Sequence, residues 1–318
     1  MTSKLPKVMK AAVIDKTGPP GAIHIKSVPV PHLSRDHVMI GLDYASVGSW
    51  DAKQRSGAWG PLKRGTILGA DGSGTVVAVS SSVKRLRVGE RVYAYSYDNP
   101  HGGFHAEYVS VPADRVERVP RQLDQKIAGA MPCVAMTAHS GLRVLKTKQG
   151  ETLLVFGASG GVGSLAVWLA ANAIGASVIG TARPDAHDYL RRLGADHAID
   201  PHSLRREAAI QRIAPEGFDA VVATAHGDDL PMFLSHLRPR APVGYPNGVE
   251  PEIHLDKHPS LSFDGEMSRK AFELLNKAIG KRTIPLRVEV FSLARVVDAH
   301  RRMEQGHVKG KIVLRIRG

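Results

Sequence analysis

The sequence predicts an α/β protein with two parts, one rich in β-strands and one built on a doubly wound parallel sheet. Two observations across the 318 residues lead to this prediction. Residues 1–120 contain short runs rich in Val, Ile and Tyr, separated by Gly, Pro, Ser and Asp, which is typical of strands. From Thr152 onward, predicted strands and helices alternate, which is typical of a parallel sheet with helices on both faces. The length is consistent with two domains.

The individual elements follow from local patterns. Strands are predicted in the β-rich part at 10–14, 38–45, 75–79, 91–95 and 106–111. Apolar residues at helical spacing predict one helix over 124–145, with Asp124 as its N-cap. The alternating part is predicted to contain strands at 152–156, 178–182, 198–200, 218–224, 242–245 and 258–263, and helices at 162–174, 184–193, 204–213 and 229–237. The tail is predicted to contain helices at 268–279 and 294–305 and strands at 288–291 and 311–316.

The composition excludes several classes of protein. Cys133 is the single cysteine, so neither an intramolecular disulfide framework nor a zinc site with two or more cysteines is possible. The first residues contain no apolar core typical of a signal peptide, and no run of apolar residues is long enough to cross a membrane. We therefore expect a cytoplasmic protein that does not associate with membranes.

The formal net charge of +13 has two interpretations. A basic surface can bind nucleic acid or phosphorylated ligands, or it can be an ordinary solvated surface that helps to attract an anionic cofactor. The cationic residues near the C-terminus are spread out rather than clustered in a block. We therefore favour the solvated surface and consider a nucleic-acid partner unlikely.

The strongest local motif is a glycine-rich turn at 157–163, where a predicted strand passes into a helix. Glycines at such a turn allow the backbone to approach a pyrophosphate, and the N–H groups of the following helix hold the anion. Arg183 lies at the end of the next strand, where a cation accepts the 2′-phosphate of NADP and an acid binds the ribose of NAD. The turn therefore predicts NADP(H) as the cofactor.

The same segment also fits G-x-S-x-G, the nucleophile elbow of serine hydrolases. Ser159 is then the nucleophile and His226 its possible base. The elbow does not require Gly163 or Arg183, and several strands of a hydrolase sheet normally precede it. We favour the cofactor turn and keep an α/β-type hydrolase as the alternative. A Walker A loop is excluded, because no Lys followed by Ser or Thr comes after the glycines.

Short motifs follow one another along nearly the whole chain: 9–13 (MKAAV), 51–57 (DAKQRSG), 68–76 (LGADGSGTV), 88–93 (VGERVY), 102–109 (GGFHAEYV), the glycine turn, 299–303 (AHRRM) and 307–314 (HVKGKIVL). In this order they resemble the medium-chain dehydrogenase/reductase superfamily, and within it the zinc-independent, ζ-crystallin-like quinone oxidoreductases and the enone reductases. The resemblance implies a GroES-like, β-rich catalytic domain formed by 1–121 and 267–318. It also implies a Rossmann NADP-binding domain at 122–266, with the active site in the cleft between the two.

The resemblance also bears on metal binding. Zinc-dependent relatives hold the catalytic metal with a Cys, a His-Glu pair and a second Cys or Asp. The matching positions here are Gly48, Ala70 with Asp71, and Cys133, so only one of three direct ligands is present. The pairs His101/His105 and His254/His258 lie beside Gly or Pro, and we interpret all four as exposed loop histidines. No metal residue is therefore predicted.

A site without a Lewis acid favours reduction of an electron-poor acceptor, such as a quinone or an α,β-unsaturated carbonyl compound. Many quinone-reducing relatives have Asn and Tyr in the loop positions matched by Gly48 and Lys53, and both differ here. Lys53 either donates a proton to an enolate, contacts the cofactor, or is a surface lysine. Trp50 either walls the substrate pocket or packs beneath the loop. Asp71 either orients Lys53 or caps a loop.

The residues predicted to hold the cofactor are Thr137, Gly160, Gly161, Val162, Gly163, Arg183, Ala225, Tyr245, Ser262 and Phe263. In relatives the edge formed by the last Rossmann strand, predicted here at 258–263, pairs with a second subunit, which implies a homodimer. The predicted function is an NADPH-dependent quinone or enone oxidoreductase. The alternatives are the hydrolase and a non-catalytic protein that binds NADPH or nucleic acid.

Overall fold

The computed structural model describes residues 5–97, 99–250, 252–280 and 283–317. The chain divides into two compact units. The first contains Met1–Cys133, Met267–Asn276 and Arg287–Gly318, and the second contains Val134–Glu266 and Lys277–Leu286. No helix among the described residues is both long enough and apolar enough to cross a membrane.

The structure defines the following elements in chain order. The strands are β1 Val8–Ile14, β2 Ile23–Pro29, β3 His37–Val47, β4 Thr66–Ile67, β5 Asp71–Val79, β6 Arg91–Tyr95, β7 Tyr108–Pro112, β8 Val116–Arg118, β9 Thr152–Phe156, β10 Ser177–Thr181, β11 His197–Ile199, β12 Ala220–Ala223, β13 Val243–Pro246, β14 Ser260–Phe263, β15 Val288–Ser292 and β16 Lys311–Arg315. The helices are α1 Ser49–Ser56, α2 Gln125–Ala130, α3 Pro132–Val144, α4 Gly161–Leu169, α5 His187–Leu193, α6 Arg206–Ile213, α7 Leu230–Leu234, α8 Arg269–Ile279 and α9 Val296–Glu304.

The first unit is built on a seven-stranded sheet and a small three-stranded one. The large sheet has the order β15-β16-β3-β5-β6-β8, with β7 also paired to β3. Strand β3 is its centre, and its alternate residues Val38, Ile40 and Leu42 are fully buried in the core. Strand β16 runs antiparallel to β3, with Ile312 opposite Val47. This pairing brings the C-terminal part of the chain beside the residues that precede α1.

The second unit contains a six-stranded parallel sheet with the order β11-β10-β9-β12-β13-β14. The chain starts at β9, adds β10 and β11 on one side and then β12, β13 and β14 on the other. Because all strands are parallel, their carboxyl ends lie at one edge, and the strand order reverses between β9 and β12. The predicted fold class is confirmed: a β-rich unit accompanies a doubly wound parallel sheet. The predicted sheet strand at 258–263 is present as β14.

Several local predictions were wrong. The helix predicted over 124–145 is broken into α2 and α3 at Pro132, since a proline has no backbone N–H to continue a helix. Its predicted N-cap is confirmed, because the Asp124 carboxylate accepts the Lys126 and Ile127 N–H groups. The segment treated as a loop around Gly48 and Lys53 contains helix α1. Strands β2, β4 and β8 were not predicted.

Candidate active site

The glycine turn begins directly after β9. Gly157 has a φ of +78°, in the left-handed region that glycine adopts without strain. Its N–H donates to the Thr181 Oγ1 at 3.0 Å, which ties the turn to the end of β10. Gly160 caps α4, and the Ser164 N–H donates to its carbonyl at 2.9 Å. The N–H groups at the start of α4 therefore lie at the carboxyl edge of the sheet, beside the point where the strand order reverses.

Gly163 allows the first turn of α4 to pack against the backbone of the turn. A Cβ atom at this position would lie 2.8 Å from the Ala158 Cα and would also overlap the Gly157 carbonyl oxygen. These neighbours are backbone atoms, so no side-chain rotation can relieve the overlap. The close helix–strand packing expected of a dinucleotide turn is therefore present, and it depends on the absence of a side chain at 163.

Arg183 lies two residues after the end of β10 and is exposed. Since β10 neighbours β9 in the sheet, with Gly180 opposite Val155, the arginine lies at the same edge as the glycine turn. It is positioned by the short 3-10 turn Pro184–Ala186, for which it is the N-cap residue. No carboxylate takes the positions of Thr181 or Ala182 at the end of this strand.

On the other side of the reversal point, Ala225 and Tyr245 follow the same edge. A Cβ atom on Gly157 would lie 3.0 Å from the Cβ of Ala225, so this residue, two positions after β12, packs directly on the glycine turn. Tyr245 is buried in β13, and its register partner in β14 is the exposed Ser262. The parallel sheet therefore brings the glycine turn, Arg183 and these three predicted cofactor residues to one edge.

Phe263 and Thr137 belong to the same unit but have a different environment. The Phe263 ring is buried against α3, since a Cβ on Gly141 would lie 2.5 Å from its Cζ. Thr137 precedes Gly141 by four residues and so lies on the same face of α3. Phe263 thus supports the helix that carries Thr137.

The same geometry bears on Ser159 as a nucleophile. A nucleophile elbow holds its serine on a sharp, strained turn. Here the positive φ of the turn belongs to Gly157, and Ser159 does not have one. The Ser159 carbonyl accepts a hydrogen bond from the Ser164 hydroxyl at 3.2 Å, an ordinary interaction of the first helical turn.

In the first unit, helix α1 carries two of the residues predicted to act in catalysis. Its N-cap residue Gly48 donates its N–H to the Asp51 carboxylate at 2.7 Å, and the other Asp51 oxygen accepts the Gly69 N–H at 3.1 Å. Gly57, with a φ of +87°, ends the helix. Asp51 is buried, and burial raises the pKa of its carboxyl group. These caps form α1 and fix it to the segment that precedes β5.

Trp50 and Lys53 lie on α1, both half-buried. The indole of Trp50 turns back over Gly48, whose missing side chain leaves the space for the ring. The Lys53 ammonium lies 5.9 Å from the centroid of the Trp59 ring, within reach of a cation–π interaction. The two side chains are therefore placed by a regular helix, which a flexible loop would not achieve.

Asp71 begins β5 and is fully buried. Its carboxylate accepts a hydrogen bond from the Ser46 hydroxyl and another from the Cys133 N–H at 2.9 Å. Burial raises the pKa of Asp71 to about 6, while the positive charge of Lys311 acts to lower it. Both bonds connect Asp71 to neighbouring chain segments, in agreement with the capping interpretation.

The residues at the zinc-matched positions do not fit a zinc ion. Gly48 and Ala70 offer no side-chain ligand, and both carboxylate oxygens of Asp71 accept hydrogen bonds. Burial raises the pKa of the Cys133 thiol, which disfavours the thiolate that binds metal. Within the described ranges, no three His, Cys, Asp or Glu side chains are grouped as metal ligands.

Sequence reasoning missed Lys311 and misjudged His105. Lys311 begins strand β16, whose next three residues are apolar, and is only 3 % exposed. A lysine directly before three apolar strand residues was the available signal. His105 was predicted to be exposed, which is wrong: it is fully buried, and its Nε2 lies 2.8 Å from the Ser46 carbonyl oxygen. Gly69 passes close beside its ring, since a Cβ atom on Gly69 would lie 2.6 Å from the His105 Cδ2.

His300 was also missed, and it predicts how stability changes with pH. It is fully buried in α9, and neither ring nitrogen has a hydrogen-bond partner. Burial lowers its pKa to about 2, and the neighbouring His105 and Arg55 act in the same direction. An unfolded histidine has a pKa of about 6.5, so unfolding takes up a proton below that pH.

Burial of neutral His300 therefore does not reduce the unfolding free energy above about pH 6.5. As the pH falls from 6.5 toward 2, the unfolded state gains a proton that the folded state does not take up, and the unfolding free energy decreases. Between pH 6.5 and 4.5 we expect His300→Leu to lose about 2.3 kcal/mol less unfolding free energy than the wild type, because the unfolded histidine is already half protonated at pH 6.5. Urea titrations at the two pH values measure this difference. His254→Leu, on the surface, is the matched control. Equal losses in the wild type and His300→Leu would contradict the assignment.

The β-rich unit, the doubly wound sheet and the glycine turn at its reversal point define a dehydrogenase of the GroES-like and Rossmann architecture. Residues 34–121 match the family model of the alcohol dehydrogenase GroES-like domain, and residues 193–314 match that of the zinc-binding dehydrogenases. The chain belongs to the medium-chain dehydrogenase/reductase superfamily, in its quinone oxidoreductase and enone reductase branch. The resemblance found in the sequence is thereby confirmed.

Three relatives illustrate this membership. The chain is 30% identical to the NADPH-dependent alkenal/one oxidoreductase, chloroplastic, of Arabidopsis thaliana over 98% of its own length and 81% of the relative. It is 32% identical to the 2-methylene-furan-3-one reductase of Solanum lycopersicum, over 98% and 80%. The structure of the quinone oxidoreductase from Coxiella burnetii superposes with a TM-score of 0.84 at 26% identity, over 98% of this chain and 100% of that one.

Proposed function

We propose that this protein transfers a hydride from NADPH to an electron-poor conjugated acceptor, either an α,β-unsaturated carbonyl compound or a quinone. The observation that carries the proposal is the glycine turn packed at the reversal point of the parallel sheet, with Arg183 at the end of the neighbouring strand. The names of the relatives support the same reaction: two are reductases of alkenals, enones or a methylene-furanone, and one is a quinone oxidoreductase.

The proposed cofactor site lies on the second unit. The N–H groups of Gly161, Val162 and Gly163 are proposed to face the position for a pyrophosphate, where the helix dipole favours an anion. Gly160 is the N-cap residue before them, and its own N–H donates to the Gly157 carbonyl at 3.2 Å. The Arg183 guanidinium is proposed to bind the 2′-phosphate, for which its planar donor pairs are suited. Ala225, Tyr245 and Ser262 continue this edge of the sheet, and Thr137 contributes from α3.

The bound cofactor supplies the hydride. The first unit is proposed to bind the acceptor and to donate a proton to it. Hydride addition at the β-carbon of an enone leaves negative charge on the carbonyl oxygen, and a proton at the α-carbon completes the saturated product. Lys53 is the proposed donor to this oxygen. Trp50 is proposed to form the wall against which the acceptor packs. Asp71 is proposed to act as a positioning residue, since it joins the start of β5 to Ser46 in β3 and to Cys133 in α3.

The alternatives weighed for the glycine turn receive no support. The reported relatives are oxidoreductases, and Ser159 lacks the strained backbone of a nucleophile elbow. A non-catalytic role in binding NADPH or nucleic acid has no counterpart among these relatives either. We propose that residues 1–121 and 267–318 form the catalytic domain and that residues 122–266 bind the cofactor. We also propose that the enzyme is cytoplasmic.

A homodimer through the edge of the parallel sheet is part of the proposal. Strand β14 is the last strand of the described sheet on its side, and Ser262 on it is exposed. An unpaired strand edge offers N–H and C=O groups to a second copy, which extends the sheet across a two-fold axis. Sedimentation equilibrium is expected to give twice the mass of the chain, and a monomer mass would contradict it.

The function is tested by following NADPH oxidation with a panel of quinones, enones and aldehydes, with NADH in parallel. We expect turnover with at least one planar quinone or enone, faster with NADPH than with NADH. Product analysis must show reduction of the conjugated double bond or of the quinone. No oxidation of NADPH with any member of the panel would overturn the proposal.

We propose further that catalysis is independent of metal, since the zinc-matched positions do not fit the ion. Activity is expected to remain within about twofold after prolonged dialysis against a chelator, because no protein ligand set would be emptied. Elemental analysis of the purified protein accompanies the assay. Stoichiometric zinc, together with activity that is lost on its removal and restored on its return, would contradict this expectation.

A further inference from the structure

Trp50 occupies the space that a side chain at position 48 would fill. A Cβ atom on Gly48 would overlap the six-membered ring of the indole. Gly48 is itself buried, at the N-cap of α1, so the ring lies between the start of the helix and the end of β3. The conformation of Trp50 therefore depends on a glycine two residues before it.

A buried cation lies on the same ring. The Lys311 ammonium is 4.4 Å from the centroid of the Trp50 ring, and it donates a hydrogen bond to the Val47 carbonyl at 3.2 Å. Lys311 is brought there by the pairing of β16 with β3. A cation–π interaction is stronger when the ammonium is removed from water, and this lysine is almost completely buried.

The buried charge has a counter-charge nearby. Lys311 interacts electrostatically with the fully buried Asp71, and Asp71 in turn is bonded to the Ser46 hydroxyl, next to Val47. A buried lysine that lost its partners would be very costly, so this arrangement holds the ammonium at one place. The ring of Trp50 thus rests on a cation whose own position is fixed by two strands of the sheet.

We propose that Lys311 and Gly48 are positioning residues for Trp50, and that together they hold its indole as a flat wall against which a planar conjugated ring, such as a quinone, stacks. The inference rests on the proposed function and specifies its substrate class. A planar ring gains contact over the whole indole face, whereas a short linear alkenal gains little. Lys311 does not touch the acceptor, so its effect passes through Trp50.

The test uses the whole protein and four variants. Lys311→Met removes the charge at nearly constant length, Lys311→Arg keeps it, and Gly48→Ala displaces the ring without removing the charge. Lys270→Met, which removes an exposed lysine of α8, is the matched control. Tryptophan emission and near-ultraviolet circular dichroism are recorded for each, and again in a Trp50→Phe background. KM and kcat are measured with a naphthoquinone and with a short linear alkenal.

We expect Lys311→Met and Gly48→Ala to change the tryptophan spectra, and we expect this change to vanish in the Trp50→Phe background. The KM for the naphthoquinone is expected to rise about tenfold with kcat within about twofold, while the KM for the alkenal changes little. Lys311→Arg keeps the charge, so its KM for the naphthoquinone should stay close to that of the wild type. Lys270→Met should match the wild type in all of these measurements. The affinity for NADPH is measured from the change in NADPH fluorescence on binding, and it should be unchanged in all variants.

Unchanged spectra in the folded Lys311→Met variant would overturn the proposal. If that variant does not fold, Gly48→Ala is used in its place. Unchanged spectra and an unchanged naphthoquinone KM in Gly48→Ala would then overturn the proposal. Equal rises of KM for both acceptors would overturn the assignment of a planar substrate. If the wild type reduces no acceptor, the proposed function fails, whereas the spectra still decide whether Lys311 and Gly48 position Trp50.

Discussion

Replacing Gly163 by valine is expected to abolish NADPH binding, with a loss of at least about a hundredfold in affinity. The Cβ atom alone would lie 2.8 Å from the Ala158 Cα, and the added methyl groups need still more space. Helix α4 must then move away from the turn, and its first N–H groups no longer converge on the pyrophosphate. Titration of NADPH fluorescence measures the affinity, and circular dichroism verifies that the variant is folded.

Ser159→Ala is the control for this variant, because it changes the same turn without adding volume. We expect it to retain most of the reductase activity, with a modest rise in the KM for NADPH, since in the proposed site backbone N–H groups hold the pyrophosphate. The opposite pair of results would refute the cofactor site. In the first of these results, the wild type shows an esterase activity and Ser159→Ala eliminates it. In the second, Gly163→Val still binds NADPH.

Replacing Arg183 by alanine is expected to remove the preference for NADPH over NADH. A charge-assisted contact with the 2′-phosphate contributes about 1.5–3 kcal/mol, which corresponds to roughly a ten- to hundredfold loss of NADPH affinity. NADH affinity should hardly change, since NADH has no phosphate at this position. Competitive titrations of both cofactors give the two dissociation constants.

Arg192→Ala is the matched control, since it removes an exposed arginine from α5 in the same unit and should leave the preference intact. If the preference of the wild type survives in Arg183→Ala, another group recognises the phosphate. Equal affinities of the wild type for the two cofactors would exclude the assignment of Arg183 altogether.

The edge of the parallel sheet proposed to hold the cofactor could be located from sequence because most of its signals are local. An apolar strand, a glycine turn and a helix follow one another within 152–174, and parallel strands then bring Arg183 and Ala225 to the same edge. The hydrophobic period and the glycines each depend on neighbours within about one helical or strand length. The Asp124 cap was predictable for the same reason.

The acceptor side could be predicted only in part because its residues meet through pairing at long range. Lys311 and Val47 are 264 positions apart in sequence, and only the pairing of β16 with β3 brings them together. Helix α1 was missed because it is short and mostly polar, with no apolar stripe at helical spacing. The break at Pro132 was readable, since proline is typical of the first turn of a new helix.

The packing of Trp50 into the space above Gly48 makes the two positions interdependent in any redesign of the site. In the zinc-dependent relatives that the chain resembles, the matching position carries a cysteine ligand. Here any side chain at 48 would overlap the indole, so a cysteine is tolerated only after Trp50 has been exchanged for a smaller residue or has turned away. Introducing a metal ligand at position 48 by design therefore also requires the indole of Trp50 to be moved or replaced. The effect of any substitution at 48 depends on the residue at 50.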